Sequence, residues 1–256
     1  MPPSALALIP ARYDSTRFPG KPLAAQTGKP LIQHVVEQIR GCETIDRVVV
    51  ATDDRRIFDV VAGFGGEAVM TGPHPNGTSR LAEAADLLEK DDPGLFAAGK
   101  LVVNVQGDEP EVPPATVDAL VRGLAADPEA DMATLAAQFG PGEDTADPNV
   151  VKLVLDRRNR ALYFSRSPIP HDRDAALAGG PSQTTVYKHP GLYAYRRDFL
   201  RLYPTLEPTP LEEAEKLEQL RVLEHGRRIA VIHAPAPHPG IDTPEQYADF
   251  VRRVQK

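Results

Sequence analysis

The sequence predicts an α/β protein with a mostly parallel sheet that helices cover on both faces. Short apolar runs of strand length alternate with segments whose apolar residues recur at helical spacing. The apolar runs are continuous rather than alternating, which is typical of strands buried on both sides. A chain of 256 residues is long enough for one domain with a substantial core, so we expect a single domain, 1–256.

The first 135 residues carry the clearest alternation. The apolar run 5–9 predicts a strand that Pro10 stops, because proline has no N–H to donate to a neighbouring strand. Residues 31–39 follow helical spacing, and Pro30 lies near the helix start, where a missing N–H costs nothing. The further elements of this half are strand 47–51, helix 54–64, strand 67–70, helix 80–88, strand 101–105, helix 113–124 and the extended segment 131–139.

The second half changes character. Residues 150–155 and 161–165 predict an antiparallel hairpin, and the polar, glycine-containing stretch 171–185 predicts a mobile loop. The remaining expected elements are strand 192–195, a long helix 211–225 that Gly226 ends, strand 228–233, and a closing helix 244–254 with Thr243 at its N-cap.

Composition excludes several classes of protein. The 29 basic and 36 acidic side chains leave a formal net charge of −7, which argues against a general nucleic-acid-binding protein. The single cysteine, Cys42, excludes an intramolecular disulfide and fits a reducing compartment. No apolar run approaches the ~20 residues that span a bilayer, and no basic segment precedes the first apolar run. We therefore expect a cytoplasmic protein without membrane insertion.

The loop after the first strand, residues 10–22, concentrates positive charge. It carries Arg12, Arg17 and Lys21 against one acidic residue. Loops at the carboxyl ends of parallel strands form the ligand crevice of such sheets. Arginine pairs with phosphate in a bidentate manner and lysine acts as a mobile point charge, so this loop predicts a polyphosphate site. Neither the P-loop spacing nor the dinucleotide-binding glycine pattern is present.

Two carboxylates are candidate ligands for a metal ion. Asp108 follows the fourth strand, at the same edge of the predicted sheet as the cationic loop, and Mg²⁺ is usually held by one or two carboxylates together with substrate phosphates. Asp242 precedes the final helix, where helix capping beside Thr243 explains a carboxylate without any ligand. Asp54 is similarly predicted to be the N-cap residue of the second helix.

A polar group in the second half suggests a site for a hydroxylated ligand. Glu218 lies on the apolar stripe of the expected helix 211–225, with Gln219 beside it. Burying a carboxylate among apolar groups is costly unless something pairs with it, and a polar cavity would supply such partners. An exposed stripe explains the pattern equally well. His189 and Tyr193 flank a turn into the next strand, and a lone histidine there is usually structural.

Eight segments, in order along nearly the whole chain, resemble the 3-deoxy-manno-octulosonate (Kdo) cytidylyltransferases, or CMP-Kdo synthetases. The opening run IPARYDSTRFPGKPL and the run NVQGDEP are the most specific, and the former differs from the opening loop of the sialic-acid cytidylyltransferases. The chain has Ser79 where the family usually has an acid, Pro190 where leucine is usual, and Phe18 where leucine is commoner. The segments are 9–23, 51–54, 76–80, 104–110, 163–166, 189–193, 217–221 and 241–245.

The resemblance implies a nucleotide-diphospho-sugar-transferase-like α/β/α fold with a small antiparallel lobe. It implies a CTP-binding half, about 1–135, and a half for the sugar acid and for dimerisation, about 136–256. The implied reaction transfers CMP from CTP to the anomeric hydroxyl of Kdo, releases diphosphate and serves lipopolysaccharide biosynthesis. The implied assembly is a homodimer built largely from residues 149–170.

The resemblance also assigns roles by position. The triphosphate would be held by Arg12, Ser15, Arg17 and Lys21, and the cytidine pocket formed by Pro10, Ala11, Thr78, Arg80 and Gln106. Mg²⁺ would be bound by Asp108 and Asp242, which with Lys21 form the catalytic set. The sugar acid would be contacted by Arg166, His189, Tyr193, Glu218 and Gln219. No general base is apparent, so we expect the metal to activate the attacking hydroxyl.

Two alternative functions stay open on the sequence. The acceptor could be another 2-keto sugar acid, such as 8-amino-Kdo or a sialic-acid-like substrate. A non-catalytic nucleotide sensor could keep the same fold, although two metal-binding carboxylates and a polar sugar site exceed what a sensor needs.

Overall fold

The computed structural model describes residues 2–180, 184–235 and 240–255. The strands are β1 Ala5–Ala11, β2 Ile45–Thr52, β3 Glu67–Met70, β4 Leu101–Asn104, β5 Met132–Gln138, β6 Lys152–Leu155, β7 Ala161–Ser165, β8 Tyr187–Lys188, β9 Tyr193–Tyr195 and β10 Ile229–His233. The helices are α1 Leu31–Ile39, α2 Arg55–Gly63, α3 Gly77–Asp91, α4 Pro114–Ala126, α5 Arg173–Ala178, α6 Arg197–Leu202, α7 Pro210–Glu215, α8 Gln219–Glu224 and α9 Pro244–Val254.

The main sheet has the strand order β3-β2-β1-β4-β9-β5-β10. Neighbouring strands are parallel except at β9, which is antiparallel to both β4 and β5. The predicted mostly parallel sheet is therefore confirmed. Because β1 lies between β2 and β4, the loop that follows it opens at the middle of the sheet's carboxyl edge.

A second, antiparallel sheet branches from the end of β5. Ala137 and Gln138 of β5 pair with β8, which pairs with β6, and β6 forms a hairpin with β7. The hairpin predicted over residues 150–165 is confirmed. This lobe places β8 and the following turn beside β9, next to the crevice of the main sheet.

Both faces of the main sheet are buried, which explains the continuous apolar strands. In β1, Ala7 and Ile9 face a core that includes residues of α1, α2 and α4, whereas Leu6 and Leu8 face a core with α3 and α6. Since alternate residues of a strand point to opposite faces, every position of β1 must be apolar. Burying one such leucine contributes roughly 1.5–3 kcal/mol.

The prediction that Pro10 stops the first strand is wrong, because β1 continues to Ala11 and Pro10 pairs in register with Ala51. The carbonyl of Leu8 accepts from Val105 on the β4 side. In a strand, the backbone groups of residues two apart point to the same neighbouring strand. The nitrogen of Pro10, which carries no hydrogen, therefore also faces β4. The ladder between β1 and β4 has already ended at Leu8, so no ladder bond is lost there.

The predicted long helix 211–225 is also wrong, since α7 and α8 are separate helices. Lys216 adopts a left-handed conformation, with φ of 54°, and ends α7. The Arg166 side chain donates from Nε to the Glu215 carbonyl at 2.7 Å, a carbonyl that a continuous helix would pair with residue 219. Glu218 is therefore the N-cap residue of α8, and the apolar stripe that suggested its role does not exist.

Three further differences concern helices. The stretch 171–185, predicted as a loop, contains α5, and its residues 181–183 lie outside the described part of the chain. Helix α6 was not predicted. Helix α3 begins earlier than the predicted residue 80, because the Asn76 side chain accepts from the Ser79 backbone and caps it.

Candidate active site

The cationic loop after β1 is held in shape by a tight turn and an aromatic ring. Gly20 has a φ of 69° and donates from its backbone to the Tyr13 carbonyl at 2.9 Å. A Cβ at Gly20 would lie 3.2 Å from the Tyr13 ring, so only glycine suits this position. The Arg56 guanidinium lies 3.3 Å from the centroid of the same ring, and Asp54 binds Arg56 through its carboxylate. Asp54 also caps α2, as predicted.

Lys21 joins the two carboxylates that are far apart in sequence. Its Nζ lies 2.6 Å from Asp108 Oδ2 and 3.3 Å from Asp242 Oδ1, and Arg17 lies 3.1 Å from Asp242 Oδ2. The Lys21 side chain is only 11% exposed. A buried ammonium is costly unless charged partners surround it, so the two carboxylates stabilise Lys21 at this place.

Backbone contacts bring the three segments of this cluster together. The Ile241 backbone donates to the Asp108 carbonyl at 2.9 Å. A Cβ at Gly107 would lie 3.0 Å from the Pro10 carbonyl, so the absence of a side chain lets the loop after β4 approach the end of β1.

The capping explanation for Asp242 does not account for its position. Thr243 is the N-cap of α9, as predicted, and forms a reciprocal capping box with Gln246. The Asp242 backbone N–H donates to Gln246 Oε1 at 2.7 Å. The Asp242 carboxylate points to Lys21 and Arg17. Helix capping is thus complete without that carboxylate.

Three adjoining clefts open along the carboxyl edge of the main sheet, and Gln106 lines all of them. The first, of about 600 Å³, contains the cationic loop and both carboxylates. Its lining includes most of the residues expected to bind nucleotide, namely Pro10, Ala11, Arg12, Ser15, Arg17, Lys21 and Gln106. The second, of about 270 Å³, is formed by Pro10, Ala11, Arg12, His74, Pro75, Asn76, Gly77, Arg80, Gln106 and Glu218.

Arg80 is a rigid part of the second cleft. It is buried, and its Nη2 lies 2.7 Å from Asp53 Oδ2 while Nη1 donates to Thr71 Oγ1 at 2.7 Å. The sequence did not single out Asp53 for this task. Its position directly after β2, at the same edge as the other loops, was the available signal.

The third cleft, of about 380 Å³, contains part of the expected sugar-acid set: Tyr193, Glu218 and Gln219, together with Thr78. The Glu218 side chain is open to the cleft, yet the protein around it desolvates its carboxylate and raises its pKa. The sequence did not predict Asn104 as a residue of this cleft. Its Oδ1 is buried without a partner in the described residues, and a polar residue ending the apolar strand β4 was the signal for it.

Two expected sugar-acid residues lie outside the lining of the third cleft. His189 lies behind it, in edge-on contact with Tyr193 and with its Nδ1 3.4 Å from Gln219 Nε2. Burial lowers the pKa of His189 to about 3, so its ring is neutral near pH 7. Arg166 points elsewhere, since its guanidinium donates to the carbonyls of Glu215 and Pro148.

Known proteins resemble this chain in sequence and in structure over nearly its whole length. A family model described as cytidylyltransferase matches residues 6–229. The chain is 50% identical over 253 residues to the 3-deoxy-manno-octulosonate cytidylyltransferase of Syntrophotalea carbinolica, which covers 97% of this chain and 96% of that protein. The chain belongs to the 3-deoxy-manno-octulosonate cytidylyltransferase family. The family member of Syntrophobacter fumaroxidans is 52% identical over 94% of this chain and 92% of its own length.

Solved structures agree with this family. A CMP:2-keto-3-deoxy-manno-octonic acid synthetase complexed with CTP matches with a TM-score of 0.87 and 41% identity, over 98% of both chains. A 4-diphosphocytidyl-2C-methyl-D-erythritol synthase, at 16% identity and a TM-score of 0.63 over the full length of both chains, shares the fold alone. The predicted fold class and the family resemblance are both confirmed.

Proposed function

We propose that this protein transfers CMP from CTP to the anomeric hydroxyl of 3-deoxy-D-manno-octulosonate and releases diphosphate. The observation that carries the proposal is the cluster of Lys21, Asp108 and Asp242, which lies in a cationic cleft that adjoins a polar one. A nucleoside triphosphate suits the cationic cleft and a polyhydroxylated acceptor suits the polar one. The names of the related proteins, and the CTP bound to one of them, support both substrates.

The protein's contribution to such a reaction is positioning and charge neutralisation. The acceptor hydroxyl attacks the α-phosphorus in line while diphosphate leaves, so the reacting groups must be aligned and the phosphate charge offset. Arg12, Arg17 and Lys21 supply positive charge beside the place where the triphosphate would lie. Gln106 lines all three clefts, which supports a role for it beside both substrates.

The donor set fits the Mg²⁺ ion that the family resemblance implies. Asp108 and Asp242 both reach one cation, the Lys21 ammonium, so both can reach a divalent ion. The described residues contain no group of three or more metal-ligating side chains, which suits an ion that completes its shell with phosphate oxygens and water. When bound, Mg²⁺ would polarise the α-phosphate and lower the pKa of the attacking hydroxyl.

The proposal extends to the assembly and the setting of the protein. We propose a cytoplasmic homodimer formed largely through residues 149–170 and active in lipopolysaccharide biosynthesis. Strand β7 lies at the end of the strand order, and Leu162 on it is 60% exposed, which suits a dimer surface. In the described residues no helix has the length and apolar character that a membrane span requires.

The decisive experiment measures diphosphate release from CTP with Mg²⁺ and a panel of acceptors. Kdo should support turnover, with 8-amino-Kdo and a sialic acid as competing acceptors. Turnover with sialic acid but not Kdo would contradict the proposed substrate. CTP binding without diphosphate release for any acceptor would point to a nucleotide sensor instead.

A further inference from the structure

A chain of hydrogen bonds links the buried face of β5 to the third cleft. Thr134 of β5 is fully buried, and its Oγ1 lies 2.8 Å from the Leu192 carbonyl oxygen and 2.8 Å from His189 Nε2. On the other side of the ring, His189 Nδ1 lies 3.4 Å from Gln219 Nε2. Tyr193 Oη lies 3.3 Å from Gln219 Oε1. The chain thus ends on two residues that line the cleft.

The Leu192 carbonyl determines the direction of the whole chain. A hydroxyl has one proton, and a carbonyl oxygen can only accept, so Thr134 donates to Leu192. Thr134 Oγ1 must then accept from His189, which places the imidazole proton on Nε2. A doubly protonated ring is disfavoured because burial lowers the pKa of His189 to about 3.

The tautomer of His189 in turn orients the residues of the cleft. An unprotonated Nδ1 accepts, so the amide nitrogen of Gln219 faces the ring and its oxygen faces Tyr193. Tyr193 then donates its only proton to Gln219 and offers the lone pairs of its phenol oxygen to the cleft. With the proton on Nδ1 instead, the amide would turn over and the Tyr193 proton would be free for the ligand.

We propose that Thr134 is a positioning residue which, through His189 and Gln219, makes Tyr193 an acceptor for a hydroxyl group of the sugar acid. The identity of the ligand in this inference rests on the proposed function. The tautomer of His189 does not depend on the proposed function. The inner links of 2.8 Å are tighter than the outer ones of 3.3 and 3.4 Å. The chain is therefore anchored in the core and leaves the cleft side free to adjust to a ligand.

The test compares Thr134→Val, which keeps the shape but removes the hydroxyl, with Thr134→Ser, which keeps the hydroxyl. The valine variant should raise the KM for the sugar acid by roughly tenfold, as expected for an unsatisfied buried hydrogen-bonding group. Its KM for CTP should stay within about twofold, because no link of the chain lies in the cationic cleft. The serine variant should behave like the wild type. Equal rises in both KM values, or no rise, would overturn the proposal.

A double-mutant cycle separates positioning from a general loss of stability. In a Tyr193→Phe background the phenol oxygen is gone, so adding Thr134→Val should raise the sugar-acid KM little further. If the two substitutions act independently, their effects on KM will multiply, and the proposed route through Tyr193 is wrong.

Nitrogen-15 NMR of the imidazole reads the tautomer in the wild-type protein, with His189→Gln used to assign the signal. We expect a protonated Nε2 and an unprotonated Nδ1, and a mixture of tautomers in Thr134→Val. A proton on Nδ1 in the wild type would refute the proposal even if the valine variant failed to fold. If the wild type released no diphosphate from CTP and Kdo, the proposed function would fail, whereas this spectrum would still decide the tautomer.

Discussion

Asp108, Asp242 and Lys21 show how single residues acquire a role from their neighbours. Each carboxylate alone has an ordinary explanation, a turn for Asp108 and a helix N-terminus for Asp242. A turn or a helix cap does not explain why both carboxylates contact the same buried ammonium. Lys21 would be unstable at that place without them. The same arrangement of charges suits an ion bound to a triphosphate.

Replacing Asp108 with asparagine should lower kcat for diphosphate release by at least about 100-fold, because the proposed Mg²⁺ ligand would lose its charge. The fold should persist, since asparagine has the same shape. Asp59→Asn is the matched control, because Asp59 is exposed on α2 and pairs with Arg55. Near-normal kcat in Asp108→Asn would disprove the metal-binding assignment.

His189 predicts a pH dependence of stability. Its folded-state pKa of about 3 lies below the ~6.5 of an unfolded histidine, so between these values the unfolded chain binds more protons. The free energy of unfolding therefore falls as pH drops from 6.5 towards 3, by at most about 1.4 kcal/mol per pH unit from this residue. Thermal melts between pH 7 and 4 should show a smaller loss for His189→Gln than for the wild type. His171→Gln, which changes an exposed ring, should match the wild type.

At the scale of elements, periodicity was a good guide to strands and amphipathic helices but a poor guide to interruptions. The sequence 211–225 has helical spacing throughout, and no glycine or proline marks the break at Lys216. The helix ends at the left-handed Lys216, and the Glu215 carbonyl that this leaves free accepts from the Arg166 side chain, which follows the distant strand β7. Such a contact is invisible to any local pattern.

Lys216→Gly should stabilise the protein by about 1 kcal/mol, because a left-handed conformation costs a residue with a Cβ roughly 1–2 kcal/mol and costs glycine almost nothing. Urea unfolding followed by circular dichroism measures the change. Lys216→Ala keeps the Cβ and should leave stability nearly unchanged. A glycine variant less stable than the alanine variant would show that the backbone at this residue is not left-handed in solution.

Gly123 in α4 packs directly against β10. A Cβ there would lie 2.3 Å from Ile232 Cγ1, so the isoleucine would have to move. Alanine improves helix propensity by about 1 kcal/mol, but overpacking costs about 1–3 kcal/mol, so Gly123→Ala should destabilise the protein by about 1 kcal/mol. Chemical denaturation should also show that Ile232→Ala, which makes room, reduces the penalty. Stabilisation by Gly123→Ala alone would contradict this packing.

For the whole molecule, two sheets that share β5 bring part of the expected sugar-acid set, including Tyr193, beside the cationic cleft. The main sheet presents the loops after β1 and β4, and the antiparallel lobe brings His189 and the turn before β9 to the same edge. The lobe thus serves the candidate site on one side, while the opposite edge strand, β7, is available for the proposed dimer.

Leu162→Glu should convert the proposed dimer to a monomer, because a charge would be buried in an apolar contact. Light scattering coupled to size-exclusion chromatography measures the mass. Leu177→Glu is the control, since Leu177 on α5 is 74% exposed but lies outside residues 149–170. A dimer that persists in Leu162→Glu and dissociates in Leu177→Glu would place the interface elsewhere.

The sequence by itself determined the mostly parallel sheet and its amphipathic helices, the hairpin of β6 and β7, the caps at Asp54 and Thr243, and the family. These depend on neighbours in the chain or on runs of residues that can be compared directly. Only the tertiary structure decided that Lys21 lies between Asp108 and Asp242, that Arg166 binds the end of α7, and that Thr134 lies behind His189. Each of these contacts joins segments tens to hundreds of residues apart, and their geometry is set by how the sheets and loops pack rather than by any local preference.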